Sequence, residues 1–244
     1  MAVIRLLIAN GCSYTRGAEL DRPEREAWPA LLAARLGVPV VNLASDGGSN
    51  RRIVRTTLVN LERLCREHGV SVAETLTVCM WTGLARGEYH ARRRRDRGNR
   101  PDLPYETNWH RLGRWRIAED HKPSAAYFGH LWNEEGAVVD LLVDWLLLDS
   151  HLRSLGGISR YCFAWDVLPA RLPLQARPLI DRLDATAVYG GSIVSARSSF
   201  YDTVAGTFAT GSLYHPLVAG HDHFAARLEG WLCGQGLVAA GRPW

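Results

Sequence analysis

The sequence predicts an α/β domain built on a parallel sheet, and three observations carry that expectation. Short apolar runs alternate with segments of helical periodicity three times between Val3 and Trp81. The helical segments close on Gly37 and Gly69, the residue type that best ends a helix in a left-handed turn. The chain has 244 residues, 47% hydrophobic and 22% charged, which suffices for one full core and suits neither a disordered nor a fibrous chain.

Val3 to Ala9 is a continuous apolar run ending in Asn-Gly and predicts a buried strand feeding a turn. Trp28, Leu31, Leu32 and Leu36 mark a helix, and Val38 to Leu43 a second buried strand. A loop over 45–49 leads into a long helix from Ser49 to about His68, with Val54, Leu58, Leu61 and Leu64 on its apolar face. Thr75 to Trp81 is a third strand, rich in β-branched types. The alternation then breaks: residues 84–133, rich in Arg, Trp and Pro, are expected to form a lid-like insertion in a single domain spanning 1–244. Glu134 to Leu155 predicts a helix, Ile158 to Trp165 a fourth strand, and 186–189 a short fifth. A last helix is expected to start at Pro216, where proline costs no hydrogen bond, with Phe224, Leu228 and Trp231 as its buried stripe.

Composition excludes several functions. The formal net charge is +4, but residues 92–100 alone carry +5, so the rest sums to −1. A body built to coat nucleic acid is not expected. Five cysteines, odd in number and scattered without a CxxC pair, argue against a zinc ribbon or disulfide scaffold and for a reducing compartment. The opening MAVIRLLIANG lacks the layout of a signal peptide, and the apolar stretch 137–148 is too short to span a bilayer. A cytoplasmic protein without membrane or nucleic-acid partners is the expectation.

Three segments fall at the C-terminal ends of predicted strands, where open α/β sheets place their sites. After the first strand, Gly11-Cys12-Ser13-Tyr14-Thr15 puts a serine on a tight turn at a helix start, with backbone N–H groups free to hold an oxyanion. After the second, the loop from Asn42 to Asn50 contains Gly47, where the backbone can approach a ligand. Near the C-terminus, His215-Pro216 precedes Gly220-His221 and places His215 at a helix mouth as a general base.

These segments resemble the blocks of the SGNH (GDSL-type) hydrolase superfamily. The GDSxT block resembles Gly11-Cys12-Ser13-Tyr14-Thr15, with Cys in place of Asp. The N-x-G-x-x-G block resembles Asn42-x-Ala44-x-x-Gly47, and the D-x-x-H-P block Ser212-x-x-His215-Pro216. Order and spread match across almost the whole chain. The resemblance implies a flavodoxin-like three-layer α/β/α sandwich with about five parallel strands. It also implies an acyl hydrolase in which Ser13 attacks and His215 takes its proton.

Two departures mark a divergent branch. The G-x-N-D block after strand three reads Trp81-Thr82-Gly83-Leu84, so its oxyanion Asn is absent and Thr82 is the nearest hydroxyl. Ser212 stands where the triad Asp belongs, which leaves a Ser–His dyad, with Asp222 or a backbone carbonyl as substitutes for the acid. Gly47 and Thr82 are expected at the oxyanion, and Asn50 and Arg86 at the substrate.

Other residues have blander readings. Ser13 is also a good helix cap, Cys12 a rival nucleophile in the slot the family gives to Asp, and His221 a structural neighbour of the site. His215, His221 and His223 do not converge as a metal site, and no metal or organic cofactor is expected. The Arg92–Arg100 run reads as a mobile solvated loop or an anion-steering one, and Trp109 to Trp132 as a lid. The expected activity is hydrolysis of a small-molecule or carrier-linked ester or thioester. An acyltransferase, or an inactive binding module of the same fold, are the alternatives.

Overall fold

The structure, a computed structural model, describes residues 3–92, 100, 102–194 and 198–238. Strand β1 (Leu6–Asn10) is wholly buried. It ends in a polar residue whose carboxamide is fully used: the two N–H bonds of Asn10 Nδ2 are shared among the Ile53 carbonyl and the Thr56 and Thr57 hydroxyls at 2.8–3.0 Å. Its Oδ1 accepts the Gly11 N–H. A buried amide left unpaired would cost the strand dearly, and these bonds tie the strand's end to the helix behind it.

Two short helices, α1 (Ser13–Arg16) and α2 (Pro23–Glu26), lead to α3 (Trp28–Leu36), which closes at Gly37 with φ 67°. Strand β2 (Val40–Asn42) is only half buried because it lies at the sheet edge, a correction to the buried strand expected there. Helix α4 (Asn50–Glu67) starts at Ser49, whose hydroxyl accepts the Arg52 N–H. Strand β3 (Thr75–Trp81) is buried along its whole length.

The insertion is more regular than its sequence suggests. Strands β4 (Arg86–His90) and β5 (Trp109–Gly113) pair as an antiparallel hairpin, followed by α5 (Lys122–His130). Helix α6 (Glu134–Ser154) returns the chain to strand β6 (Ile158–Phe163), and α7 (Arg177–Ile180), α8 (Phe200–Val204) and α9 (Val218–Gly234) complete it.

The main sheet is parallel with order β2-β1-β3-β6, so the chain winds outward both ways from β1 and β3. Side chains alternate across it. Leu76, Val78 and Met80 face the α3/α9 layer with Trp28, Leu32, Phe224 and Leu228. Cys79 and Trp81 face α4 and α6 with Ile53, Leu61, Trp145 and Leu148. This is the expected α/β/α sandwich. The fifth strand is reduced to one parallel bridge between Val188 and Tyr161, because a 3-10 turn over Ala185–Ala187 consumes the residues before it. Helix α9 begins at Val218, not Pro216: Pro216 bridges Thr210 and Leu217 is the cap.

A buried charge network clamps the hairpin to α4. Arg52 pairs with Glu106 at 2.8 Å, and Arg55 with Glu88 at 2.7 Å and Glu106 at 2.9 Å. Charges taken out of water persist only when paired in this way. Arg55 also lies 4.1 Å from the Trp109 ring centre. Most of the arginine run, 93–99, lies outside the described residues. Arg100 at its end is docked, donating to the carbonyls of Asn42 and Ala44 and to Asp102.

Candidate active site

The turn after β1 is shaped by what has no room. A side chain at Gly11 would meet Thr15 Oγ1 at 2.1 Å, so glycine is required there. Cys12 is fully buried and caps α1, and Ser13, 8% exposed, is its first residue. The Ser13 hydroxyl has no hydrogen-bond partner among the described residues, His215 included, and the Ser13 N–H has no acceptor among them.

The β2 loop is tied to this turn. Asn42 donates to the Thr15 carbonyl at 2.8 Å and accepts the Ala44 N–H at 3.1 Å. Gly47 is left-handed with φ 64°, and a Cβ there would come within 2.9 Å of Trp115 Cζ2. The indole of the insertion thus lies against the loop. The Gly47 N–H also has no acceptor among the described residues.

His215 has a carboxylate partner that sequence reasoning missed. Glu19, just past α1, accepts from His215 Nδ1 at 3.0 Å, from the N–H groups of Leu213 (2.9 Å) and His215 (3.1 Å), and from the Ser212 hydroxyl (3.0 Å). Gly211 is needed for this, since a Cβ there would meet the Glu19 carboxyl at 2.5 Å. Partial desolvation pushes the Glu19 pKa up. The bonds from Leu213, His215 and Ser212 outweigh it and hold the carboxyl at about 2. The imidazole is therefore not without an acid, as the dyad expectation had it. Asp222 is not that acid, because it pairs with Arg35 at 2.7 Å. Glu19 carries no motif signal; its one local mark is a left-handed φ of 67° in a non-glycine residue.

The end of β3 is also completed from elsewhere. Asn50 Nδ2 donates to the Thr82 carbonyl and Asn50 Oδ1 accepts the Thr82 N–H, both at 2.8 Å. A carboxamide has two N–H bonds, and one remains. Thr82 itself is fully buried and its hydroxyl has no partner among the described residues.

A family model matches residues 14–243, nearly the whole chain. The chain belongs to DUF6071, a family of unknown function. No curated protein matches this DUF6071 chain. Among solved structures it is similar to TesA, at 14% identity over 93% of this chain and 98% of that one, with a TM-score of 0.47. It is similar to the psychrotrophic esterase EstA from Pseudoalteromonas sp., at 10% identity over 95% and 98% of the two chains, TM-score 0.49. It is also similar to a catalytic mutant of Axe2, an acetylxylan esterase from Geobacillus stearothermophilus, at 13% identity over the full length of both, TM-score 0.45. Likeness of this degree assigns no activity.

The remaining site residues of the DUF6071 chain fall into place around this frame. The Tyr14 ring packs edge-on against His215 (5.4 Å), Trp165 (5.5 Å) and Phe200 (5.6 Å), which puts the imidazole beside the residue next to Ser13. Burial, then Cys12 and Tyr201, push the Tyr14 phenol to about 12 against the opposing charge of Arg86. His221 is structural: fully buried, it accepts the Trp28 N–H on Nδ1 at 3.0 Å. Burial, and then the nearby His215 charge, lower its pKa to about 3. Among the described residues no group of three His, Cys, Asp or Glu side chains is placed to hold a metal.

Proposed function

We propose that the protein is a serine-dependent acyl hydrolase acting on an ester or thioester. The observation that carries the reading is the Glu19–His215 hydrogen bond, set beside the Ser13 turn by the Tyr14 ring. A carboxylate on Nδ1 requires a proton there, which leaves Nε2 of the neutral imidazole as the basic nitrogen. Ser13 Oγ attacks the carbonyl carbon and its proton passes to Nε2. The imidazolium is stabilised by Glu19, which stays ionised.

The carbonyl oxygen, now an anion, accepts from the unengaged N–H groups of Ser13 and Gly47. The second N–H of Asn50 joins them and stands in for the Asn missing after β3, with the Thr82 backbone as its anchor. Thr82 then acts through Asn50, because its own hydroxyl is sealed from solvent. Collapse of the intermediate breaks the bond to the leaving oxygen or sulfur, which takes the proton from Nε2 and departs as alcohol or thiol. Water repeats the sequence on the acyl-Ser13, giving the acid and restoring the serine.

Turnover of p-nitrophenyl esters by the parent, Ser13→Ala and His215→Ala tests this. Hydrolysis by the parent that is lost in both variants is expected. Equal rates in all three would refute it. Added alcohol or amine acceptors separate transfer from hydrolysis in the same assay.

A further inference from the structure

Arg86 opens β4, immediately beyond the end of β3 where the proposed reaction takes place. Its guanidinium lies 5.0 Å from the Trp165 ring centre and 5.2 Å from that of Trp115. Trp165 also packs on Tyr14, and Trp115 on Gly47, so Arg86 is held where the loops carrying Ser13 and Gly47 converge. Its one hydrogen bond is a long one, 3.4 Å from Nη1 to the Gly48 carbonyl.

Among the described residues, no carboxylate answers the charge on Arg86. Arg16, Arg52 and Arg55 each have a carboxylate, on Asp46, Glu106 and Glu88. No ion pair joins Arg86 to any described residue, although it is only partly exposed. Carboxylates do line the adjoining spaces. Glu134 and Asp166 share with it a cavity of about 420 Å³, and Asp140, Asp144 and the Arg55-paired Glu88 a smaller one of about 160 Å³, but none reaches it as an ion pair. Indoles beside a guanidinium favour the cation and leave its N–H edge as the polar surface for a ligand. That edge presents a two-pronged donor suited to a carboxylate or phosphate.

We infer that the substrate carries an anionic oxyacid group on its acyl part, and that Arg86 selects for it. The inference rests on the acyl-hydrolase reading and names its substrate class. A partly buried cation without a counter-ion among the described residues is then completed by the substrate.

The test compares kcat/KM for p-nitrophenyl hydrogen glutarate with that for neutral p-nitrophenyl pentanoate, in the parent and in Arg86→Gln. The parent is expected to favour the acid-bearing ester, and the variant to lose about 10- to 100-fold of that ratio. Arg86→Lys, which keeps the charge without the fork, is expected to fall between, and carries the comparison if the glutamine variant does not fold. A parent without preference, or a preference that survives both variants, overturns the proposal.

Calorimetric titration with glutarate and with phosphonoacetate reads the anion site without turnover and tells carboxylate from phosphate. If no ester is hydrolysed, the acyl-hydrolase reading has failed. Arg86-dependent binding of either anion still upholds the site, while binding that is absent or independent of Arg86 overturns it.

Discussion

Glu19 and His215, 196 positions apart in the chain, are joined by a 3.0 Å hydrogen bond from Nδ1 to Oε2. The carboxylate comes from the turn after α1, on the same short stretch as Ser13, and not from the segment preceding the histidine. Ser212, at the position where the resemblance implies a triad aspartate, donates its hydroxyl to Glu19 instead. In the proposed mechanism, the acid thus lies on the other side of the same contact.

Glu19→Gln should lower kcat by up to about 10⁴-fold, the scale of loss when a triad carboxylate becomes an amide. The amide keeps the size of the side chain but can present its NH₂ to Nδ1 and favour the wrong tautomer. Steady-state kinetics on one activated ester measures it. A loss under tenfold would mean that Glu19 only buttresses the loop.

Ser212→Asp, which a dyad lacking its acid would welcome, should not raise turnover. It would place a second carboxylate beside Glu19, and like charges so close disfavour joint ionisation. A lower kcat is expected, and a faster variant would contradict the assignment of Glu19.

The layers of the fold were legible in the sequence because periodicity reports burial directly. Trp28–Leu36, Thr75–Trp81 and the α4 cap at Ser49 fall where expected. The hairpin of β4 and β5 was not legible, since its strands carry little alternation and its Glu88 and the neighbouring Glu106 are fixed by Arg52 and Arg55 from the distant α4. The site divides the same way. Ser13, Gly47 and His215 lie on local turns with readable spacing. Glu19 and the Asn50–Thr82 pairing are tertiary contacts, and no local spacing encodes them.

Asn50→Asp keeps the acceptor for the Thr82 N–H but removes the donors. It should cost kcat about 10²- to 10³-fold, the usual scale for one oxyanion donor. KM should change little, because the oxyanion exists only in the transition state. An unchanged kcat would leave Asn50 as a strut for β3 alone.

His221 makes stability depend on pH. Its folded pKa of about 3 lies below the ordinary histidine value of 6.5, so between these the unfolded chain binds the extra proton. Its contribution is full above pH 6.5 and is lost as pH falls toward 3, by up to about 1.4 kcal/mol per pH unit. Urea titrations across that window, with His221→Asn as comparison, should show the slope in the parent and a flatter profile in the variant.

Glu106→Gln should destabilise the fold by about 3–5 kcal/mol, because it leaves Arg52 buried without its counter-charge. The urea midpoint reads the loss. A change within experimental scatter would mean that water reaches Arg52.

The central claim is that Ser13 is a nucleophile activated through His215 and Glu19. Incubation with a neutral alkyl fluorophosphonate followed by peptide mass spectrometry tests it most directly, since the adduct needs no knowledge of the substrate. One phosphonyl group on Ser13 is expected, formed much more slowly in Glu19→Gln and not at all in Ser13→Ala. A protein that takes no label at Ser13, or takes it equally fast without Glu19, contradicts the account.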